Sequence, residues 1–352
     1  MGYRIGSFNL MNLGLKTLGS KNERDLGLVA RIIKNEGFDV VALQEVLSEG
    51  KALYSEDFAK KSIIMHLGKE WEFAWANAET DQSQTRNEGY AFVWNTKRLR
   101  LASTIVPNQG PRVYYPRICK INKSVMHRRP YYARFTPVGT GGSVPWIELR
   151  LLCIHTYWGK DNSKGREDRD NELKAILEDI YPQISDRRYG EYGNGMPSYT
   201  LVLGDYNVQL RRPWKDKMFE EENLRRVAEG KVKIYREPPY LKTTFGDYVE
   251  TTKWGHRYIK TVQDQLTTLK SIEDAEENVD PKIRGYSRDY DHFSYEEKQF
   301  EGVGMRVRRV DAVRKYCNDD FSEYHSKVSD HIPILMDIEF KNDFEMIYPY
   351  EK

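Results

Sequence analysis

The sequence predicts an α/β protein in which two β-sheets pack face to face and helices cover their outer faces. Two observations lead to this fold class. Short apolar runs alternate with longer amphipathic segments, and the predicted strands outnumber the predicted helices. Several apolar runs also lack the polar alternation of a half-exposed strand, which is typical of strands buried on both faces. With 352 residues the chain can bury a large core, as one large domain or two modest ones.

The N-terminal half is predicted to consist of strands separated by two amphipathic helices. A helix is expected where apolar residues recur every three to four positions, as Leu26, Val29, Ile32 and Ile33 do. Short apolar or aromatic runs predict strands, and the turn Asn95-Thr96-Lys97 separates the last two of them. In order, the predicted elements are a strand at 3–9, a helix at 22–36, a strand at 39–44, a helix at 53–67, and strands at 72–76, 90–94 and 99–106.

The C-terminal half is predicted to open with a hairpin around a glycine-rich loop, because Gly139, Gly141 and Gly142 fall between two apolar runs. A later apolar run has no polar interruption and predicts a strand covered on both faces. The predicted elements are strands at 131–135 and 146–154, a helix at 166–180, and strands at 199–204 and 332–340.

Between Asn207 and Asp289 the periodicity weakens and the sequence becomes charged and polar. We interpret residues 208–288 as an insertion that covers the core and has no core of its own. The chain is therefore expected to be a single domain over residues 1–352.

Charge is distributed unevenly along the chain, although the net charge is only +2. Between Glu88 and Glu148 there is no Asp or Glu, which favours contact with a polyanion such as DNA over a merely solvated face. Four tyrosines in this stretch are candidates for stacking on bases. The basic residues are Lys97, Arg98, Arg100, Arg112, Arg117, Lys120, Lys123, Arg128, Arg129 and Arg134, and the tyrosines are Tyr114, Tyr115, Tyr131 and Tyr132.

The three cysteines, Cys119, Cys153 and Cys317, form no CxxC pair, so neither a disulfide framework nor a zinc site is expected. Cys153 lies in an apolar run and is expected to be a buried thiol. No segment approaches the ~18 apolar residues of a membrane span. The N-terminus lacks the basic and apolar regions of a signal peptide, so a cytoplasmic location is expected.

Polar residues of particular types stand where the predicted strands begin or end. Such positions cost free energy unless the side chains are paired or bind a ligand, so we expect them to converge on one cleft. Carboxylates suit Mg²⁺, Mn²⁺ or Ca²⁺, two histidines can serve as acid and base, and asparagines can hold phosphate oxygens. Each residue alone is more often a turn, cap or core residue, but their joint occurrence favours hydrolysis of a phosphate ester. The residues are Asn9, Glu45, His155, Asp205, Asn207, Asp330 and His331.

These motifs resemble, in type and order, those of the endonuclease/exonuclease/phosphatase superfamily. The resemblance rests on Ser7-Phe8-Asn9, Leu43-Gln44-Glu45-Val46, Ile154-His155, Gly204-Asp205-Tyr206-Asn207 and Ser329-Asp330-His331, and it spans residues 3–340. Three further segments are similar to the deoxyribonuclease I-like branch. They are Glu88 before an aromatic strand, Arg128-Arg-Pro, and Tyr290-Asp291-His292-Phe293.

The resemblance implies a four-layer α/β sandwich of two mixed sheets flanked by helices. It also implies a metal-dependent phosphodiesterase, in particular a DNA endonuclease. It implies that Glu45 is the main ligand of Mg²⁺ (or Mn²⁺ or Ca²⁺), helped by Asn9 and Asp330. His155, held by Glu88, would be the general acid. His331, held by Asp291, would act as a base or stabilise the phosphorane. Asp205 would orient or deprotonate the attacking water. The phosphate oxygens would be bound by Asn9, Asn207 and Arg128.

Departures from the family pattern keep other substrates and roles open. His292 stands where the branch has Arg, and the segment between Asp205 and Asp291 is longer than in the deoxyribonucleases. This segment has no cysteine, so the disulfide of the secreted enzymes is absent, and the Trp-Cys-Asp-Arg motif of inositol phosphatases is missing. The alternatives are a sphingomyelinase-like hydrolase of a smaller phosphodiester or lipid headgroup, and a non-catalytic binding module on the same fold.

Overall fold

The structure is a computed structural model that describes most of the chain in separate stretches. The described residues are 2–14, 24–47, 50–55, 61–78, 88–106, 110–120, 126–138, 147–158, 163–187, 197–208, 248–251, 257–262, 265–270 and 285–340.

Strands dominate the described residues, as the sequence predicts. They are β1 Gly2–Leu13, β2 Val40–Val46, β3 Trp71–Asn77, β4 Gly89–Asn95, β5 Leu99–Leu101, β6 Ser103–Val106, β7 Gly110–Val113, β8 Arg117–Ile118, β9 Tyr131–Pro137, β10 Glu148–His155, β11 Ser198–Asp205, β12 Tyr248–Thr251, β13 Arg257–Val262, β14 Asp291–Glu296, β15 Gly304–Arg309 and β16 Ile334–Glu339. The α-helices are α1 Leu26–Asn35, α2 Ile63–Leu67, α3 Ser163–Lys174, α4 Tyr181–Ser185, α5 Ala312–Cys317 and α6 Phe321–Lys327.

The strands form two mixed sheets and a small separate hairpin. The first sheet has the order β15-β16-β1-β2-β4-β3, and the second has the order β12-β13-β14-β11-β10-β9-β5, with β8 added beside β9. Each large sheet contains one parallel pair at its centre, β1 with β2 and β10 with β11, between antiparallel neighbours. The carboxyl ends of two adjacent strands therefore meet at one edge of each sheet.

The two sheets pack face to face, and helices cover both outer faces. Along β2, Val40 and Ala42 face the second sheet, whereas Val41 and Leu43 face α1. Each side of this strand is thus covered, which explains the four consecutive apolar residues at its start. The outer face of the second sheet packs against α3, the π-helical turn Ala175–Ile180 and α4. The predicted fold class, a four-layer α/β sandwich, is confirmed.

Helix α1 begins where Asp25 accepts a hydrogen bond from the amide of Leu28 at 2.8 Å, a typical N-cap. The predicted helix at 53–67 is too long, because within the described residues helix begins only at Ile63, where Ser62 is the N-cap. The predicted helix at 166–180 starts earlier, at Ser163, and its last turn is π-helical. Caps and π-turns depend on local hydrogen bonds that apolar periodicity does not report.

The predicted strand at 99–106 is divided at Ala102. The amide of Ala102 donates to Arg134 in the second sheet, and its carbonyl accepts from Tyr114. The chain then leaves this sheet, and β6 pairs with β7 as a separate hairpin.

The stacking role predicted for two tyrosines is wrong. The side chains of Tyr131 and Tyr132 are 1% and 4% exposed, and the ring of Tyr131 stacks on Phe92 between the sheets, with centroids 5.2 Å apart. A base cannot stack on either ring, because both side chains are buried.

Much of the predicted insertion at 208–288 lies outside the described residues. Within it, β12 and β13 extend the second sheet beyond β14, and Ile259 joins the core under the helices. At least this part of the segment belongs to the sheet, so it is not only a cover. In the described residues, no helix is long and apolar enough to cross a membrane.

Candidate active site

The polar residues at the strand ends come together because the two parallel pairs end at the same edge of the sandwich. Asn9 pairs in register with Gln44 in the first sheet, and His155 pairs with Asp205 in the second. The amide of Asn9 then joins the two sheets, since its Nδ2 donates to Asp205 Oδ2 at 3.0 Å and to Glu45 Oε1 at 3.0 Å.

The backbone at this edge is held in unusual conformations. Glu45 has φ 58° and Asn207 has φ 50°, the left-handed region that costs a non-glycine residue about 1–2 kcal/mol. Gly204 has φ 147°, and a Cβ there would lie 1.9 Å from the carbonyl oxygen of Ile154. Glycine at this position lets β11 approach β10 closely just before Asp205. Strain of this kind is typical of functional sites.

Asp205 lies at the centre of the cluster. Its Oδ2 is 3.6 Å from Nε2 of His155 and 3.6 Å from Nε2 of His331. Its Oδ1 accepts a hydrogen bond from the amide of Asn207 at 2.9 Å. Both imidazoles thus lie near the same carboxylate oxygen, at distances slightly longer than a hydrogen bond.

His155 is held by the carboxylate of Glu88, whose Oε1 is 2.6 Å from His155 Nδ1. The same oxygen is 2.7 Å from Nε of Arg128. The backbone amide of His155 donates to the hydroxyl of Tyr90 at 2.9 Å. A carboxylate on Nδ1 fixes the orientation of the ring and directs Nε2 into the cavity.

His331 has a matching arrangement on the opposite side. Asp291 Oδ2 is 2.8 Å from His331 Nδ1, and the backbone amide of His331 donates to Ser329 Oγ at 3.1 Å. Ser329 Oγ in turn donates to the carbonyl of Asn9 at 2.7 Å, which ties this segment to the first sheet. Both carboxylate–histidine pairs predicted from the sequence are formed.

The electrostatic environment favours protonation of both imidazoles. Burial lowers the pKa of His331, but Asp291, Asp205 and Asp330 outweigh it and place the pKa well above its ordinary value. Burial and Arg128 lower the pKa of His155, whereas Glu88 and Asp205 raise it, and the net direction is upward.

The two carboxylates that face His155 respond in opposite directions. Burial raises the pKa of Glu88, but His155 and Arg128 outweigh it and bring the pKa to about 2. Burial raises the pKa of Asp205, and the opposing effect of the two histidines does not cancel it. Glu88 is therefore a permanent counter-ion, whereas Asp205 is a better proton acceptor than an exposed aspartate.

The residues predicted to bind a metal fit a single hard divalent cation. Burial raises the pKa of Glu45, and the neighbouring charges of Glu88 and Asp330 raise it further, so a cation beside Glu45 would relieve this repulsion. Glu45 and Asp330 both line the cavity. Among the described residues, no three His, Cys, Asp or Glu side chains form a preassembled metal cluster. Glu45 and Asp330 would therefore leave most coordination positions to water or substrate, as is usual for Mg²⁺.

Asn9 makes contacts that differ from its predicted role. Both hydrogens of its amide group are directed at carboxylates, and its Oδ1 accepts from the amide of Met11 at 2.9 Å. These bonds orient Glu45 and Asp205. Direct contact of Asn9 with a metal or a phosphate stays a prediction.

Two of the predicted phosphate-binding residues line the cavity beside His155. Nδ2 of Asn207 donates to the carbonyl of Thr156 at 2.9 Å, and Nη1 of Arg128 donates to the same carbonyl at 3.3 Å. This shared anchor fixes both side chains in the wall of the cavity. His292, which replaces the arginine of the family pattern, is buried and bonds the carbonyl of Val208 through Nε2 at 2.8 Å.

The sequence did not reveal the aromatic wall of the site, a cavity of about 780 Å³. The rings of His127 and Tyr157 stack with centroids 3.9 Å apart, and Trp158, 59% exposed, meets Tyr290 edge-on at 5.6 Å. The only local signal was the aromatic pair directly after His155-Thr156.

Glu172 is the other residue that sequence reasoning missed. It lies on α3, is fully buried, and accepts from the amides of His127 at 2.6 Å and Tyr157 at 2.5 Å. One carboxylate therefore joins the segment that carries Arg128 to the segment that follows His155. Burial raises the pKa of Glu172 to about 7.

Comparison with known proteins shows similarity in structure only. No family model and no curated protein matches the sequence. Among solved structures, ANGEL2, described as a 2′,3′-cyclic phosphatase and bound to adenosine-2′,3′-vanadate, aligns over 96% of this chain and 95% of its own, with 14% identity and a TM-score of 0.52. TDP2 from C. elegans aligns over 96% and 75%, with 12% identity and a TM-score of 0.50.

A third solved structure, an endonuclease/exonuclease/phosphatase family protein from Bacteroides thetaiotaomicron, aligns over 97% of this chain and 98% of its own, with 11% identity and a TM-score of 0.46. The chain has the DNase I-like fold of the endonuclease/exonuclease/phosphatase superfamily, and the resemblance recognised in the sequence is confirmed at the level of the fold.

Proposed function

We propose that the protein is a divalent-metal-dependent phosphodiester hydrolase that acts on nucleic acid, with DNA cleavage as its leading activity. The observation that carries this proposal is the position of Asp205 between two imidazoles, each backed by its own carboxylate. This arrangement places a proton acceptor and two proton donors around one point, as in-line displacement at phosphorus requires.

In the proposed reaction Asp205 orients a water molecule and accepts one of its protons while the water oxygen bonds to phosphorus. The bond between phosphorus and the leaving oxygen breaks, and Nε2 of His155 donates its proton to that oxygen. Nε2–H of His331 and the amide of Asn207 donate to the non-bridging oxygens, where negative charge accumulates. A divalent cation held by Glu45 and Asp330 would supply Lewis-acid stabilisation of a phosphoryl oxygen. The products are a phosphomonoester and an alcohol.

The walls of the cavity support a nucleotide substrate. Arg128 lines the cavity and can donate to a phosphate, and the exposed ring of Trp158 offers a flat apolar face to a base. The likeness of the fold to ANGEL2, described as a 2′,3′-cyclic phosphatase, makes a cyclic nucleotide phosphate a second candidate substrate.

The test is a substrate panel with Mg²⁺: supercoiled plasmid, single-stranded DNA, RNA, a 2′,3′-cyclic nucleotide, sphingomyelin and inositol phosphates. We expect cleavage of DNA that stops in excess chelator. Full activity in excess chelator contradicts metal dependence, and cleavage of sphingomyelin alone contradicts the nucleic-acid assignment.

Replacement of the histidines tests the chemistry separately from binding. We expect His155→Ala and His331→Ala each to lower kcat by at least ~10², the usual contribution of general acid–base catalysis. The matched control is His66→Ala on α2, because His66 is exposed and does not line the cavity. Wild-type turnover in either active-site variant would show that the fold serves as a binding module or uses other residues.

A further inference from the structure

A second cavity, of about 340 Å³, lies away from the catalytic residues on the outer face of the second sheet. Its walls carry four arginines and several tyrosines, and we call it the arginine pocket. The residues that define it are Arg112, Tyr114, Tyr115, Arg117, Arg134 and Arg187.

The pocket is assembled from four separate parts of the chain. The hairpin β6–β7 supplies Arg112, and the amide of Tyr114 bonds the carbonyl of Ala102 to hold that hairpin against the sheet. Arg117 comes from β8 and Arg134 from β9. The guanidinium of Arg134 lies over the ring of Tyr114, 4.1 Å from its centroid, and so forms a rigid floor.

Two of the four arginines, Arg112 and Arg117, present their positive charge to solvent. The buried acid behind it, Glu148, has one oxygen bound by Nη2 of Arg134 and the other bound by Nε of Arg150 at 2.6 Å. Arg112 and Arg117 are exposed, and neither forms an ion pair with the residues that the structure describes. Arginine in this setting is suited to phosphate, which it binds through two parallel hydrogen bonds.

Tyr115 adds a flat apolar surface at the rim. Its side chain is 74% exposed, although it is a large aromatic residue beside arginines. A nucleotide fits this arrangement, because its phosphate can bind the guanidinium groups and its base can stack on the exposed ring. An unpaired base is favoured, because a base within a duplex is already stacked.

The distance between the arginine pocket and the catalytic residues can be measured along β10. Arg134 on β9 lies opposite Arg150 on β10, and β10 continues five residues further to His155. At a rise of about 3.3 Å per residue the two sites are separated by about 16 Å along the strand, the length of about five nucleotides of one strand in a duplex.

We propose that the arginine pocket binds an unpaired nucleotide of the nucleic-acid strand, about five nucleotides from the bond that is cut. The phosphate of this nucleotide would lie on Arg112 and Arg117, and its base would stack on Tyr115. This inference rests on the proposed function, because it takes the strand to be the substrate of the catalytic site. It gives the enzyme a preference for substrates long enough to reach both sites.

The test compares an Arg112→Ala/Arg117→Ala double variant with an Arg31→Ala/Arg306→Ala control, in which the replaced arginines are equally exposed but lie on α1 and β15. Affinity for a fluorescent single-stranded 20-nucleotide DNA, about four times the distance between the sites, is measured by anisotropy over a salt series. We expect the double variant to bind about tenfold more weakly, with a salt slope smaller by about 0.7, because the contact with one phosphate of the single strand is lost. A Tyr115→Ala variant should weaken binding without changing the slope.

Turnover of bis(p-nitrophenyl) phosphate, which is too small to reach the pocket, separates this inference from the proposed function. We expect it to be equal in the wild type and the double variant. Unchanged affinity and salt slope in the double variant overturn the pocket assignment, whatever the catalytic result. Failure of the wild type to hydrolyse any phosphodiester overturns the proposed function, and with it the pocket as a substrate site.

Discussion

Replacement of Glu88 by glutamine tests whether His155 is a general acid whose proton is held by a carboxylate. Glu88 Oε1 lies 2.6 Å from His155 Nδ1, and Glu88 is only 4% exposed. A hydrogen bond to a charged group contributes about 1.5–3 kcal/mol. Because this charged acceptor is lost, Glu88→Gln should lower the pKa of His155.

The sign of the effect on activity follows from the role of His155. A general acid is active when protonated, so activity falls as pH rises through its pKa. Glu88 raises that pKa, and its removal should therefore move the alkaline limb of the kcat/KM profile to lower pH. The assay is cleavage of the nucleic-acid substrate across the pH range, because its alkoxide leaving group needs a proton. An alkaline limb that does not move refutes the assignment of His155.

Arg128→Met serves as the opposing control. Arg128 lowers the pKa of His155, so its replacement should move the same limb to higher pH even if kcat falls. Damage to the site in general would not give shifts of opposite sign in the two variants.

Three further predictions concern the supports of the site. Gly204→Ala should lower the free energy of unfolding by more than about 3 kcal/mol, because the new Cβ would lie 1.9 Å from the carbonyl oxygen of Ile154. Gly302→Ala is the control: it has open space around it and should cost only about 1–2 kcal/mol of backbone strain. Glu172→Ala should cost about 2–6 kcal/mol, since two amides lose their acceptor at about 1–3 kcal/mol each, and should lower kcat. Wild-type stability should decline as pH rises from about 4.5 to 7, because burial raises the pKa of Glu172 and the folded state then holds a proton that the unfolded chain releases.

Urea denaturation measures the three changes in the free energy of unfolding, and a turnover assay measures the kcat of Glu172→Ala. Equal losses in the two glycine variants would contradict the close approach of β11 to β10. A Glu172→Ala variant with wild-type stability would show that Glu172 does not hold the two segments. The contribution of Glu172 to the pH dependence is the difference between the wild type and Glu172→Gln, and curves that stay parallel from about pH 4.5 to 7 would show that Glu172 is ionised when folded.

Much of the fold could be predicted from the sequence because its signals are local. The uninterrupted apolar run of β2 predicts burial on both faces, and the periodicity of α1 predicts one packed face. The strand 99–106 could not be divided in advance, because the break at Ala102 depends on hydrogen bonds to Arg134 and Tyr114 in other elements.

In the candidate site, too, residues with a local sequence signal could be predicted, and residues that act through contacts between elements could not. Polar residues at strand ends identified Glu45, His155 and Asp205, because a buried strand rarely ends in such residues without a function. The sequence around Glu172 does not distinguish it from the other acidic residues of a charged helix. Its role is visible only in the fold, where its carboxylate accepts hydrogen bonds from the amides of His127 and Tyr157.

Periodicity and side-chain chemistry are local, so the sequence predicted the fold class and the types of residue at the strand ends, and its resemblance to the family predicted which carboxylate holds which histidine. The order of the strands in each sheet, the exposure of each tyrosine and the meeting of distant arginines in one pocket became visible only in the folded structure. These features could not be predicted because burial and strand pairing depend on contacts between elements that are distant in sequence. Residues such as Tyr115 and Tyr131 look alike in the sequence and differ only once β9 is enclosed between the sheets.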